Sequence, residues 1–334
     1  VTNHYLLAGD VGGTKTTLAI FSSIAELRTP LAEQTFPSAS FLNLEAIVAK
    51  FLTQVNIPVS HACFGVAGPV VHGRATITNL PWVISERDLS AAFQFKQLTL
   101  LNDLVSIANA VPILESADVH TLNAGAPVRG GAIAVIAPGT GLGEAYLTWD
   151  GGTYHAYASE GGHTDFAPTD DTEMALLRYL QKKFGRVSYE RICSGIGMPN
   201  IYAFLKDTGF APEPDWLTAE IAAATDPNPV LVRHALENPA GCPLCAETLR
   251  LFVSVLGAEA GNMALKVLAA GGVYLGGGIP PRILPLLEGE TFLHPFSDKG
   301  RFSDMLREFP VHVILNPKAA LIGAARYGLQ KSRY

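Results

Sequence analysis

The chain has 334 residues, of which 48% are hydrophobic and 16% charged, and its formal net charge is −6. That length exceeds what one hydrophobic core supports, so two domains with a cleft between them are expected, an arrangement suited to an enzyme of two small molecules. The apolar content excludes extensive disorder, and a net negative charge without a basic cluster excludes the electrostatic footprint of nucleic-acid or anionic-membrane binding. Four cysteines are too few for a disulfide scaffold. The N-terminal residues lack the pattern of a signal peptide, and apolar stretches such as residues 131–137 are far shorter than a bilayer span. A cytoplasmic protein without a transmembrane helix is therefore expected.

In chain order, residues 5–8 form a short apolar run, residues 9–15 are Gly-rich, and residues 16–21 form a second apolar, β-branched run. This reads as strand, tight turn, strand. Residues 44–55 have apolar side chains at helical spacing. Residues 98–101 predict a buried strand, followed by Asn102-Asp103 and a helix through Ala110 that ends before Pro112. The hairpin layout then returns at residues 132–137, 138–143 and 144–149, and a second helical pattern covers 173–184. Two α/β halves built on one device are expected. Residues 246–270 predict a long apolar helix ended by Gly271-Gly272, and residues 273–275 a strand opening onto Gly276-Gly277-Gly278.

Asp10-Val11-Gly12-Gly13-Thr14-Lys15-Thr16 lets backbone N–H groups approach a phosphate closely. It is not a Walker A loop, because Thr14 stands where that motif needs its last Gly and a strand-like run follows. Taken alone, a Gly-rich turn of this kind is more often an unliganded hairpin turn. The second loop, Pro138-Gly139-Thr140-Gly141-Leu142-Gly143, lacks the spacing of a dinucleotide fingerprint, since Glu144 falls where the last Gly would be. Two matching Gly-Thr hairpins are better explained by two loops closing on one phosphate chain. Asp10 beside those phosphates needs a cation between, so Mg²⁺ held through water is expected. The alternative is a turn aspartate bonding its own backbone.

Asn102-Asp103 after a buried strand is the candidate catalytic pair. Phosphoryl transfer needs a carboxylate to take the acceptor hydroxyl's proton, assigned to Asp103, and an amide beside it to orient the acceptor. The same dipeptide is an ordinary helix N-cap, and both roles can coexist. Ser159-Glu160-Gly161-Gly162-His163 sets a carboxylate and an imidazole around two glycines, and Glu190 in Ser188-Tyr189-Glu190-Arg191 can add another acceptor. Such groups suit adjacent sugar hydroxyls. Taken singly, Glu190 reads as a solvated helix residue and His163 as a structural histidine. Cys242-Pro243-Leu244-Cys245 has metal or redox spacing but no second ligand pair, while Cys63 and Cys193 read as small buried residues.

Together these motifs resemble the bacterial glucokinases, in the zinc-free branch of the actin-like sugar kinase and hexokinase superfamily, over nearly the whole chain. The resemblance is carried by Gly9-Asp10-Val11-Gly12-Gly13-Thr14, Ala67-Gly68-Pro69, Thr78-Asn79 with Pro81-Trp82, Asn102-Asp103, Gly139-Thr140-Gly141-Leu142-Gly143, Glu160-Gly161-Gly162-His163 and Gly276-Gly277-Gly278-Ile279. Asp298-Lys299-Gly300-Arg301-Phe302 is similar to the same family. Two departures stand out: Lys15-Thr16 replaces Asn-Ala after the first loop, and Ala67-Gly68-Pro69 replaces Ala-Cys-Pro. Where zinc-bearing relatives have a Cys-rich cluster, Thr164-Asp165-Phe166-Ala167-Pro168 follows the Glu-Gly-Gly-His motif, so zinc is not expected.

The resemblance implies an α/β fold of two actin-like, ribonuclease H-like domains with an interdomain cleft, residues 1–112 plus about 318–334 forming the small domain and 113–317 the large. It implies an ATP-dependent glucokinase with Mg²⁺, acting on glucose, as a homodimer. Asn102, Asp103, Glu160, His163 and Glu190 would contact the sugar. Asp10, Gly12, Gly13, Thr14, Gly139, Thr140 and Gly141 would lie about the phosphates, and adenosine would rest against Gly276, Gly277 and Gly278. Two other readings are a sugar-responsive regulator and an actin-like ATPase without kinase activity. The phosphate loop begins within ten residues of the start, leaving no room for a regulator's helix-turn-helix, and the ATPase has no evident use for Glu160 and His163.

Overall fold

The computed structural model describes residues 5–77 and 80–332; Thr78-Asn79, one of the family-like motifs, lies outside them. The chain divides into two compact units, one drawn from Val1–Glu115, Tyr154–Ala158 and Asn316–Tyr334, the other from Ser116–Thr153 and Ser159–Leu315. Among the described residues, no helix is long and apolar enough to cross a membrane.

In the first unit, β1 (Tyr5–Val11) and β2 (Lys15–Phe21) form the expected hairpin, and β3 (Ala32–Pro37) extends it. Helix α1 (Leu44–Val55) leads to β4 (Val59–Val66), and after a small three-stranded sheet of β5 (Val70–Val71), β6 (Arg74–Thr76) and β7 (Val83–Ser85) come α2 (Glu86–Phe93), β8 (Gln97–Asn102) and α3 (Asp103–Ala110). The main sheet runs β3-β2-β1-β4-β8, with β1, β4 and β8 parallel. Leu6, Leu7 and Ala8 are buried because both faces of β1 are covered. Ile47 and Phe51 of α1 join Leu7, Leu18 and Phe36 in one core. On the other face the C-terminal helix (Ala319–Lys331) packs on β1, β4 and α3. There Arg326 Nη1 donates to the Asn109 carbonyl at 3.1 Å.

The parallel register places Val11, Val66 and Asn102 in one row. Asp10 and Asn102-Asp103 therefore emerge at the carboxyl edge of the same sheet, where open α/β sheets present their ligand sites.

The second unit repeats the device. Strand β10 (Ile133–Pro138) pairs antiparallel with β11 (Leu142–Trp149) and parallel with β13 (Gly272–Leu275), which pairs parallel with β14 (Val311–Ile314); β14 in turn pairs antiparallel with β9 (Val119–Asn123). Strand β12 (Tyr154–Ser159), of which Tyr154–Ala158 counts with the first unit, leads into the Glu160 turn. Helices α4 (Asp171–Phe184), α5 (Met198–Asp207), α6 (Asp215–Ala223), α7 (Asn228–Glu237), α8 (Pro243–Val267), α9 (Leu284–Leu287), α10 (Glu290–Ser297) and α11 (Ser303–Arg307) supply the rest. The buried axis is α8, packed against α5, α7 and α10.

Two helix boundaries differ from expectation. Helix α4 starts at Asp171 because Asp170 accepts from the Glu173 N–H at 2.7 Å, a cap that acts before the apolar periodicity begins. Helix α8 runs over Pro243–Val267 rather than 246–270. Proline suits its first turn, whose N–H groups have no intrahelical acceptor. It stops at Leu268, a left-handed residue at φ 50, after which the Ala269 N–H donates to Ala264 O at 2.9 Å, so Gly271-Gly272 is not its cap.

Candidate active site

In the first unit the Gly loop is held by its neighbours' backbone. Gly12 N donates to Lys15 O at 3.0 Å, Ser38 N to Thr14 O at 3.0 Å, and Ser38 Oγ to Gly12 O at 2.7 Å. Gly12, Gly13 and Thr14 thus form a pinned turn directly after Asp10. On the neighbouring parallel edge, Asn102 is the N-cap of α3: its Oδ1 accepts from Leu104 N at 3.0 Å, while its Nδ2 donates to Gly68 O at 3.1 Å. The latter bond ties two of the family-like motifs together. Asp103 Oδ1 accepts from the same Leu104 N–H at 2.8 Å.

The electrostatics of this edge set two carboxyls against each other. Burial, with Asp103 nearby and Lys15 opposing, pushes Asp10 from its ordinary 3.8 up to about 6. Burial also raises Asp103, against the N–H of Leu104 and the Asn102 amide, which favour its charged form. Since the unfolded chain releases the Asp10 proton near pH 4 and the fold near pH 6, this group's stabilisation is whole below about pH 4 and is lost as pH rises through about 6. Without nucleotide, Asp10→Asn is expected to raise thermal stability at pH 8, by at most about 3 kcal/mol, with the gain vanishing near pH 4. Melting curves at the two pH values check it.

In the second unit, Gly139 N donates to Gly141 O at 2.8 Å, closing the loop that carries Thr140. Two other segments dock on it. Gly195 N donates to Gly139 O at 2.7 Å and Ile196 N to Thr140 O at 3.3 Å; on the opposite flank Gly276 N donates to Ile136 O at 2.9 Å and Ile279 N to Pro138 O at 3.3 Å. Gly277, at φ 80, occupies the left-handed region beside Pro138 O, a place for glycine alone. Gly276, Gly277 and Gly278 are thereby brought beside Gly139, Thr140 and Gly141.

Glu190 is not a solvated helix residue. It sits in the short 3₁₀ turn Tyr189–Arg191, its side chain 19% exposed, where one carboxylate oxygen accepts from Leu142 N at 3.0 Å and the other lies 3.8 Å from His163 Nδ1. Nothing in the local sequence marks this, because Leu142 is 48 residues away. His163 Nε2 lies 3.9 Å from Glu160, and both side chains are open to solvent. The structure therefore joins Glu160, His163 and Glu190 with the second Gly loop: two carboxylates and an imidazole beside a run of backbone N–H groups, able to bind hydroxyls next to a phosphate.

Sequence reading missed an apolar pocket of about 240 Å³ lined by Met198, Asn228, Val232, Leu236, Ile279 and Arg282. Asn228 Nδ2 donates to Gly195 O at 2.9 Å, leaving a buried Oδ1 without a hydrogen-bond partner. The pocket's apolar walls suit a flat heterocycle. One of its walls, Ile279, directly follows the third Gly run, against which adenosine is expected to rest. Cys63, Cys193, Cys242 and Cys245 are all buried and unpaired. Among the described residues, no group of three or more His, Cys, Asp or Glu could hold a metal ion.

A family model described as Glucokinase matches residues 7–331. A protein of Trichormus variabilis named "Glucokinase" is 42% identical, covering 96% of this chain and 97% of its own length. The crystal structure of a glucokinase from an Antarctic psychrotroph superposes with a TM-score of 0.83 at 33% identity, covering 98% of this chain and 99% of that one. A ROK family glucokinase from Streptomyces griseus, solved in complex with glucose and AMPPNP, has a TM-score of 0.62 at 16% identity, covering 98% and 99% of the two chains.

Proposed function

The chain belongs to the glucokinase family, with the actin-like α/β fold of its structural neighbours, and from that premise we propose how it acts: it transfers the γ-phosphoryl group of ATP to the 6-hydroxyl of glucose, giving glucose 6-phosphate and ADP. The observation that carries this reading is the Asp103 carboxylate at the head of α3, held by Leu104 N and raised by burial, at the carboxyl edge of the parallel strands. A base so placed accepts the hydroxyl proton as the oxygen attacks phosphorus in line. Asn102, fixed by capping, orients the acceptor, and Glu160, His163 and Glu190 bind the remaining hydroxyls.

Gly12, Gly13, Thr14, Gly139, Thr140 and Gly141 offer backbone N–H groups to the phosphates. Adenosine rests along Gly276, Gly277 and Gly278 with its base in the apolar pocket of Met198 and Val232. Asp10, with its desolvated carboxylate, fits one Mg²⁺ held through water and brought in by ATP; the ion would neutralise charge on the phosphates.

The accompanying domain assignment, 1–112 with about 318–334 as small domain and 113–317 as large, is supported by the division of the chain near residues 115 and 315. Four unpaired buried cysteines support a cytoplasmic setting. A homodimer rests on the family resemblance alone, and sedimentation at twice the chain mass is its test.

The deciding experiment is a coupled assay of glucose 6-phosphate formation with Mg-ATP, beside mannose, fructose, N-acetylglucosamine and a no-sugar control. Glucose-dependent turnover well above the control is expected. Equal ATP hydrolysis with and without sugar would instead favour an actin-like ATPase, which leaves Glu160, His163 and Glu190 without a task.

A further inference from the structure

Behind the turn that carries Glu160 and His163 lies a group of buried acids that the proposed reaction does not use. Glu144, on β11 just beyond the second Gly loop, is 2% exposed, and its Oε1 has no hydrogen-bond partner. Its Oε2 lies against Gly161, where any Cβ would collide with it. The turn can rest on this carboxyl only through a glycine. Glu259, fully buried on α8, is close enough to Glu144 for its charge to act on it. It also meets Lys266 Nζ at 3.2 Å and accepts from Asn262 Nδ2 at 2.9 Å. Tyr189, the residue before Glu190, accepts at its hydroxyl from the same Asn262 Nδ2 at 3.0 Å. From the remaining sides, the Cys193 thiol faces both acids with Glu173 of α4 nearby, and Lys299 faces Glu259 and Glu173.

Two carboxylates in one dry site cannot both ionise without a large penalty. Lys266 and Asn262 partner Glu259, whereas Glu144 Oε1 has no partner, so Glu144 is the carboxyl that holds a proton. Burial and the Glu259 charge, with Lys266 opposing, push Glu144 up to about 8.

We propose that Glu144 is a positioning residue for sugar recognition: its neutral carboxyl, buried against Gly161, is the platform for the Gly161-Gly162 turn, and Glu259, through the Asn262 amide it shares with Tyr189, holds Tyr189, and with it Glu190, beside that platform. The inference rests on the sugar-kinase reading. Losing the proton sets a second charge beside Glu259 and against Gly161, which displaces Glu160, His163 and Glu190 together. Sugar affinity then falls most, the base on α3 is untouched, and kcat falls less, through the Leu142 N–H that Glu190 holds.

The test compares the whole enzyme with Glu144→Gln and Glu144→Ala, measuring glucose KM and kcat at saturating Mg-ATP from about pH 6.5 to about pH 9.5. The unsubstituted enzyme's KM is expected to rise about fivefold or more through pH 8, with kcat changing less. In Glu144→Gln the KM stays level across that range, because an amide has no proton to lose, while Glu144→Ala has a raised KM throughout. Thermal melting is an independent arm. The fold keeps a proton that the unfolded chain releases above its ordinary 4.5, so stability falls as pH rises from there to about 8, and Gln removes that slope. A level wild-type KM through pH 8, a Gln variant rising in parallel with it, or an unchanged melting slope overturns the proposal. Absence of sugar phosphorylation at pH 7 would strike at the reaction itself, and the melting arm would still decide where the proton sits.

Discussion

Replacing Asp103 by Asn is expected to lower kcat for glucose phosphorylation by about a thousandfold, within the range that a positioned general base contributes. Asn fits the same space and its Oδ1 still accepts from Leu104 N, so the helix start and the fold are retained. The amide cannot take a proton. Glucose KM should change little, since Asn102, Glu160, His163 and Glu190 remain, and this separates a missing base from a damaged site. Wild-type activity should also have an acid limb above the ordinary aspartate range, because burial raises Asp103. Unaltered kcat in Asp103→Asn would remove Asp103 from the mechanism, and stopped-time assays over pH read both effects.

Replacing Glu190 by Ala is expected to have the next largest effect, raising glucose KM by about a hundredfold and lowering kcat by about tenfold. The residue has two attachments. One oxygen holds the Leu142 N–H at the end of the second Gly loop; the other faces His163. Truncation removes an acceptor for a sugar hydroxyl and leaves a backbone donor unpaired, which costs about 1–3 kcal/mol where water cannot replace it. The kcat component arises because Thr140 and Gly141 belong to the loop that Glu190 pins. Glu190→Gln keeps an oxygen for Leu142 N and should recover most of kcat while leaving KM raised. Steady-state kinetics on both variants check this split; equal losses in KM and kcat from Gln would show that Glu190 has no separate part in holding the loop.

Much of both half-sites was legible because their chemistry is local. Glycine placement between apolar runs dictates a hairpin, and β1–β2 and β10–β11 form over the anticipated residues. A strand running into Asn-Asp dictates a helix cap, and Asn102 is one. The boundaries of α4 and α8 were less legible: caps and a left-handed Leu268 set them, and these act outside the apolar periodicity.

By itself, then, the sequence determined which residues are chemically equipped and which short segments present them: Asp10 before its Gly turn, Asp103 at a helix start, Glu160 and His163 around two glycines. Only the tertiary structure decided which distant groups meet. That Asp103 stands near enough to Asp10 to raise it, that Glu190 caps Leu142 N, that Asn228 bonds Gly195 beside an apolar pocket, and that Glu144 is buried against Gly161 all join segments far apart in the chain. The physical reason is one of range. Turn, cap and strand preferences act over a few residues, whereas a buried side chain's partners and charge state depend on what packing brings within hydrogen-bond distance and on how much water it leaves there.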